Sequence, residues 1–177
     1  MLRYWLAQIR QAWAKREKDP AFRLRPAIDI IVPSAGLKPG ARILCIGARN
    51  RHEPDTWRAE GFDVIAIDIL PSPSLIFMDM HSLRFNDGTF DLVYASHVFE
   101  HALYPRKALA EACRVLKRPG YLYAAFPTGF VPNDHDRVDF GSVDGFRREL
   151  PLSVRLNSAE LYRRDAAGHS LVLLELK

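Results

Sequence analysis

The chain has 177 residues, of which 48% are hydrophobic and 26% charged, and its net charge is +4 at pH 7. This length and composition are typical of one folded globular domain and exclude a disordered or fibrous chain. The positive charge is concentrated at the start, because residues 1–25 carry seven Lys/Arg and two Asp/Glu, whereas residues 26–177 carry eighteen and nineteen. The near-neutral remainder argues against a nucleic-acid-binding domain. We therefore predict a basic N-terminal arm over residues 1–25 and a single domain over residues 26–177.

The N-terminal arm has the pattern of an amphipathic helix, in which Leu2, Trp5, Leu6, Ile9 and Trp13 recur at helical spacing among basic residues. Two interpretations are open. The helix either packs on its own domain or on a partner protein, or it lies on an anionic membrane surface. No apolar run reaches the roughly 18–20 residues of a membrane span and no signal-peptide pattern is present, so we expect a cytoplasmic protein.

Apolar runs alternate with helical patterns after the arm, which is typical of a mainly parallel sheet with helices on both faces. Strands are predicted at residues 42–47, 62–68, 74–80, 90–96 and 120–127, followed by an antiparallel hairpin formed by the last nineteen residues. The five residues between the second and third strands are too few for a crossover helix. The sequence thus predicts an α/β fold with a seven-stranded, mostly parallel sheet.

Three helices are predicted between these strands. The first has Pro54 in its first turn and Gly61 at its C-terminal cap. The second, over residues 104–117, buries Leu109, Ala112, Cys113 and Leu116 at helical spacing. The third is a short helix over residues 142–150. Cys45 and Cys113 both fall in apolar patterns, so we expect buried free thiols and neither a disulfide nor a metal pair.

Polar residues follow the predicted strands where ligands bind in such sheets, beyond the strands' carboxyl ends. Gly47 follows the first strand, Asp68 the second and Asp79 the third, while the fourth ends at Ser96 and His97. Asp68 lies 21 residues after Gly47, a spacing at which a carboxylate accepts hydrogen bonds from ribose hydroxyls. A lone strand-end Asp is more often a turn or cap residue, but the two together favour a nucleotide-like cofactor.

Residues 36–127 carry further motifs in a fixed order. "LKPGARILCIG" opens the segment, Asp79 follows the third strand, Phe90-Asp91 opens the fourth, and "RVLKRPG" precedes the fifth. In this order and spacing the segment resembles class I S-adenosylmethionine-dependent methyltransferases. The resemblance implies a Rossmann-like sheet of order 3-2-1-4-5-7-6 with only strand seven antiparallel. It also implies an enzyme that transfers a methyl group from S-adenosylmethionine to a small-molecule or glycan-like acceptor.

The expected cofactor-binding residues lie at the ends of the first four strands. They are Gly47, Ala48, Arg49, Asn50, Asp68, Ile69, Asp79, Met80, Ser96 and His97.

The first loop departs from the family's Asp-x-Gly-x-Gly-x-Gly pattern. Cys45 occupies the acidic position, and Arg49 and Arg51 occupy the second and third glycine positions. In one outcome the loop stays compact, with Asn50 tolerating positive φ and an arginine pairing with the cofactor's carboxylate. Glu53 then either caps the following helix or contacts the cofactor's ammonium group. In the other outcome the arginines fill the pocket, and the chain is a catalytically silent binding or scaffold module.

Two segments contain candidate catalytic or metal-binding histidines. Residues 97–101, "HVFEH", have the spacing of a zinc signature. That signature needs a third ligand, and the family carries a similar Glu-His here, so we predict no metal site, with His97 lining the cleft and His101 structural.

In residues 133–139, "NDHDRVD", His135 is a candidate general base on an acceptor hydroxyl. Asp134 and Asp136 either bind a divalent cation or orient His135, and a solvated acidic loop is the alternative. This segment belongs to the polar stretch 128–150, which is expected to form much of the acceptor site.

Overall fold

In the computed structural model the described residues are 6, 9–10, 21–70, 72–156, 161–164 and 169–177, with the backbone alone described for 21–23 and 161–164. The helices are α1 (Ala21–Ser34), α2 (His52–Ala59), α3 (Pro105–Arg114) and α4 (Val143–Arg148), and a 3-10 helix covers Phe99–His101. The strands are β1 (Arg42–Ile46), β2 (Asp63–Asp68), β3 (Ile76–Phe77), β4 (Phe90–Ser96), β5 (Leu116–Phe126), β6 (Leu161–Arg164) and β7 (Ser170–Leu176).

The seven strands form one sheet in the order β3-β2-β1-β4-β5-β7-β6. Strands β1 to β5 pair in parallel, and β7 runs antiparallel to both β5 and β6. The predicted fold class and strand order are therefore confirmed. Since β1, β2 and β4 run in the same direction, their carboxyl ends meet at one edge of the sheet. Within the described part of the chain, no helix has the length and apolarity that crossing a membrane requires.

The sheet separates two hydrophobic layers. Leu44 and Ile46 of β1 pack with residues of α3 and α4, whereas the alternate residues Ile43 and Cys45 pack with residues of α1 and α2. This alternation follows from the two-residue repeat of a strand, which places successive side chains on opposite faces. Cys45 and Cys113 are buried free thiols, as predicted, and burial raises the pKa of Cys113 to about 12.

Helix α1 was not predicted from the sequence. Leu24, Ala27, Ile28 and Ile31 have helical spacing and are buried in it, but Pro26 lies among them and argued against a helix interior. The helix runs through the predicted boundary after residue 25. Before α1, the structure describes only Leu6, Ile9 and Arg10 of the N-terminal arm, and these residues are helical and exposed. The rest of the predicted amphipathic helix lies outside the described residues, so the arm and its boundary stay predictions.

Three predicted elements, β3, α3 and β5, have a bound that differs from the observed one by more than two residues. Strand β3 contains only Ile76 and Phe77, in place of residues 74–80, and both are exposed. Helix α3 ends at Arg114 instead of residue 117, and the buried Leu116 begins β5 four residues earlier than predicted. The reason is that the carbonyl of Val115 accepts hydrogen bonds from the amides of Thr89 and Phe90, so the chain is already paired with the beginning of β4.

The predicted C-terminal glycine of α2 is confirmed, whereas α4 is shorter than predicted. Gly61 has φ 89°, and its N–H donates to the Arg58 carbonyl at the end of α2, which is the role of a C-terminal glycine. Helix α4 lies inside the predicted residues 142–150, and the Ser142 hydroxyl caps it by accepting from the Gly145 N–H at 3.0 Å. Strands β6 and β7 form the predicted hairpin, whose turn lies outside the described residues.

Candidate cofactor cleft and its rim

An open cleft lies at the carboxyl ends of β1, β2 and β4, with about 640 Å³ of empty space including its mouth. The cleft is lined by Ile46, Gly47, Arg49, Ile67, Asp68, Ile69, Met78, Asp79, Met80, His97, Val98, His101 and His135.

Most predicted site residues meet in this cleft. Seven of the ten predicted cofactor residues line it, as does His135. The other three, Ala48, Asn50 and Ser96, do not line it. Ala48 is buried in the core beneath the loop, the Asn50 side chain accepts a hydrogen bond from the His52 N–H at 3.0 Å, and Ser96 forms a side-chain hydrogen bond with Tyr94.

Five lining residues were missed by sequence reasoning: Ile46, Ile67, Met78, Val98 and His101. Four are apolar and sit at or beside a strand end. Their sequence pattern is the same as that of core residues, so no local signal distinguishes a residue of the cleft wall from a residue of the core. His101 was predicted to be structural, and the structure places it on the cleft.

The first loop turns sharply at Gly47, which has φ 69°. A Cβ added there would lie 2.6 Å from Val98 Cγ2, so a side chain is excluded by contact as well as by backbone conformation. The N–H groups of Gly47 and Ala48 both donate to the Ile67 carbonyl, at 2.9 and 3.3 Å. The loop therefore stays closely attached to β2 with a single glycine.

Asp68 holds the next turn of this loop. The Arg49 N–H donates to Asp68 Oδ2 and the Leu70 N–H to Asp68 Oδ1, both at 2.8 Å. Asp68 is buried, and that burial raises the pKa of its carboxyl group above the usual value, opposed by these hydrogen bonds. A carboxylate oxygen has two lone pairs, so each oxygen keeps the capacity to accept from a ligand hydroxyl.

The two loop arginines point in different directions. Arg49 has φ 58° and lines the cleft. Arg51 has a side chain that is 73% exposed, and its Nε lies 3.6 Å from Asp55 Oδ2. Only one of the two residues at the family's glycine positions therefore faces the cleft. Glu53 is buried in the first turn of α2 and is not among the lining residues.

Asp79 is held in place by His81. The His81 N–H donates to Asp79 Oδ1 at 2.8 Å, and His81 Nδ1 lies 2.6 Å from the same oxygen. His81 Nε2 accepts from the Tyr104 N–H at 3.2 Å, so Nδ1 carries the ring proton and donates to Asp79. This hydrogen bond lowers the pKa of Asp79 below its usual value.

His97 and His101 do not form the zinc geometry that their spacing suggested. His97 follows β4 with φ 56°, and His101 ends the 3-10 helix, so the two are not on one face of an α-helix. His97 Nδ1 lies 3.4 Å from Oε1 of Glu100, which is 2% exposed.

The segment after β5 is fixed onto the 3-10 helix at the rim of the cleft. The Glu100 carbonyl accepts from the N–H groups of Arg137 and Val138, at 2.7 and 3.0 Å. Asn133 Oδ1 accepts from the N–H groups of His135 and Asp136, at 2.8 and 2.9 Å. These hydrogen bonds bring His135 beside His101, with ring centroids 4.2 Å apart.

The fold and cleft define a class of protein: a doubly wound α/β domain with an open cleft at the carboxyl ends of its strands, where such domains bind their ligands. A family model described as a methyltransferase domain matches residues 44–124. The demethylmenaquinone methyltransferase of Renibacterium salmoninarum is 32% identical over a segment that covers 54% of this chain and 45% of that protein.

Solved structures with the same fold include two methyltransferases. A SAM-dependent methyltransferase from Aquifex aeolicus has a TM-score of 0.61 at 15% identity, covering 91% of this chain and 100% of that one. The 1,6-didemethyltoxoflavin-N1-methyltransferase of Burkholderia thailandensis, solved with 1,6-didemethyltoxoflavin and S-adenosylhomocysteine, has a TM-score of 0.64 at 18% identity and covers 95% and 81%. Identities this low show the fold alone.

These matches support a class I S-adenosylmethionine-dependent methyltransferase domain over residues 44–124, as the resemblance predicted. These matches support S-adenosylmethionine as the cofactor of the domain. The chain spans less than half the length of the curated relatives that it matches.

Proposed function

We propose that this protein transfers a methyl group from S-adenosylmethionine to a small-molecule acceptor. The observation that carries the proposal is the hydrogen bond between the Arg49 N–H and Asp68, at 2.8 Å. It keeps the glycine-poor loop compact, with Asp68 on the wall of an open cleft.

The residues of the cleft fit this cofactor. Asp68 would accept hydrogen bonds from the ribose hydroxyls, and Asp79 would be a second acceptor at the neighbouring strand end. Met78, Met80 and Val98 provide an apolar wall suited to the flat face of the adenine ring. Arg49 would pair with the carboxylate of the methionine part through a charge-assisted hydrogen bond.

When bound, the cofactor supplies an electrophilic methyl group: a nucleophilic atom of the acceptor forms a bond to the methyl carbon as the sulfur–carbon bond breaks, leaving S-adenosylhomocysteine. The chain contributes mainly by holding donor and acceptor in line in a confined space, which can account for much of the rate. A proton acceptor is needed only if the nucleophile must lose a proton. The sequence predicts His135 for that role, and its position at the rim of the cleft is compatible with it.

A small molecule is the acceptor class that we favour. One relative named above is a demethylmenaquinone methyltransferase, and one solved structure contains 1,6-didemethyltoxoflavin, so both names point to low-molecular-weight acceptors. The near-neutral domain does not favour nucleic acid. A sugar hydroxyl remains the other acceptor to test, since the resemblance implied a small-molecule or glycan-like substrate.

The test is methyl transfer from S-adenosylmethionine carrying a labelled methyl group. The protein is incubated with separate pools of hydroxyaromatic, nitrogen-heterocyclic and sugar acceptors, and labelled products are separated by mass. We expect transfer in one pool and its loss in Asp68→Ala, with activity retained in Asp63→Ala, an exposed residue at the other end of β2. Cofactor binding without transfer in any pool would favour the scaffold alternative over the enzyme.

A further inference from the structure

A second cluster of ligand-type side chains lies at the rim of the cleft, formed by His101, His135 and Asp136. One ring nitrogen of each histidine and one carboxylate oxygen all lie within 4.8 Å of one another. His101 Nδ1 is 3.1 Å and His135 Nε2 3.4 Å from the same atom, Asp136 Oδ1. Two imidazoles and a carboxylate thus converge on one small volume.

We propose that His101, His135 and Asp136 bind one divalent transition-metal ion. Ligand atoms about 2.1 Å from a tetrahedral ion are about 3.4 Å apart, and the two distances to Asp136 Oδ1 are close to that separation. Two imidazoles with one carboxylate form a donor set of intermediate softness, which suits Zn²⁺, Co²⁺ or Fe²⁺ better than Mg²⁺ or Ca²⁺.

The backbone around these side chains is fixed, which metal ligands require. Asn133 Oδ1 holds the amides of His135 and Asp136, and the Glu100 carbonyl holds the amides that follow. His101 Nδ1 also lies 3.2 Å from the His135 carbonyl, a contact that a bound ion would replace when Nδ1 becomes a ligand. The three ligands are only partly exposed, so an ion there would be shielded without being enclosed.

The site would open toward the cleft, because His101 and His135 both line it. Three protein ligands leave at least one coordination position for an oxygen or nitrogen atom of a molecule bound in the cleft. In this arrangement His135 is a metal ligand, which replaces the general-base role that its sequence context suggested. The predicted pair of Asp134 and Asp136 is also replaced, since Asp134 is exposed and lies outside the cluster.

The test is titration of the tag-free, metal-stripped full chain with Co²⁺, followed by its visible absorption, and with Zn²⁺ by calorimetry, both without methyl donor. We expect one equivalent to bind, with an affinity at least tenfold lower in each of His101→Gln, His135→Gln and Asp136→Asn. Two controls should keep the wild-type affinity: Asp134→Asn, on the same loop, and His52→Gln, an exposed histidine outside the cleft.

The proposal would be overturned if the chain bound no stoichiometric metal ion. It would also be overturned if binding persisted in all three variants of the proposed ligands, or if binding were lost in either control variant. Thermal unfolding of each variant identifies any variant that fails to fold, and metal binding by the remaining folded variants then tests the proposal. Because no methyl donor is present, the outcome is independent of whether the domain binds S-adenosylmethionine.

Discussion

The backbone N–H of Arg49 donates a hydrogen bond of 2.8 Å to Asp68 Oδ2, joining the loop after β1 to the end of β2. Arg49 takes the positive φ that a glycine would otherwise provide. The backbone conformation of a glycine-rich loop is thereby retained at a residue with a long cationic side chain. The charge of the Arg49 side chain should affect the affinity for a ligand in the cleft, and substitutions of Arg49 can measure that effect.

We expect Arg49→Ala to weaken S-adenosylmethionine binding by about tenfold, because the substitution removes a charge-assisted hydrogen bond to the ligand carboxylate. Arg51→Ala is the matched control, since the Arg51 side chain is exposed and pairs with Asp55. Calorimetry should show no loss for 5′-methylthioadenosine in either variant, because that ligand lacks the carboxylate. Tighter S-adenosylmethionine binding in Arg49→Ala would show instead that the arginine obstructs the cleft.

Gly47→Ala should destabilise the fold more than Gly88→Ala. Both glycines have positive φ, so both substitutions incur a conformational cost of about 1–2 kcal/mol. Only at Gly47 does the new Cβ meet another group, Val98 Cγ2 at 2.6 Å, and such overpacking adds about 1–3 kcal/mol. Denaturant unfolding measures the difference. Equal costs at the two positions would mean that Val98 moves aside freely.

Sequence patterns predicted most of the fold because strand and helix periodicities are local. Residues 90–96 show this well, since the predicted and observed bounds of β4 coincide. The predicted end of α3 was wrong because Leu116 continues the helical spacing of apolar residues. In the structure, pairing with β4 places Leu116 in a strand instead. Helix α1 was missed because a proline is normally a strong signal against a helix interior.

The sequence predicts those cleft residues that follow the carboxyl ends of strands, because ligands bind there in such sheets. It does not predict residues that reach the cleft through contacts between distant parts of the chain. Asp68 and Asp79 belong to the first group. The approach of His135 to His101 depends on hydrogen bonds from the loop after β5 to the Glu100 carbonyl, which no local pattern encodes. His81 escaped notice for the same reason, because its second partner is the amide of Tyr104.

The Asp79–His81 pair should contribute a pH-dependent part of the stability. The folded-state pKa of Asp79 is lowered by its hydrogen bond to His81, so its contribution is present above the unfolded-state pKa and is lost as pH falls through the folded-state pKa. Because the Asp79 side chain is 39% exposed, we expect a contribution of only about 0.2–1 kcal/mol.

Unfolding of wild type and Asp79→Asn across pH 2–7 tests this expectation, on a pH range set by the ordinary Asp pKa of about 3.9. The variant should be less stable at neutral pH, and the difference should shrink on acidification. Asp144→Asn, at an exposed position, is the control. A difference that is constant with pH would contradict an ionic origin.

Substitution of Arg114 should destabilise the fold more than substitution of Arg106. It donates to the carbonyls of Leu83 and Phe85 at 2.8 Å and also pairs with Glu111 and Asp87, which fixes the segment before β4. We expect Arg114→Leu to lower the free energy of unfolding by about 2–3 kcal/mol, since several acceptors lose a charged donor. Arg106→Leu, which removes one exposed ion pair with Glu149, should cost less than about 1 kcal/mol. Similar losses for both would show that the Arg114 contacts contribute no more than a surface ion pair.

Titration calorimetry with S-adenosylhomocysteine tests the central claim, that the single-glycine loop and Asp68 still form a cofactor site. We predict one site of micromolar affinity that is lost in Asp68→Ala and retained in Asp63→Ala. No heat of binding and no rise in the unfolding temperature with this ligand or with S-adenosylmethionine would contradict the claim and leave the domain as a methyltransferase fold without its cofactor.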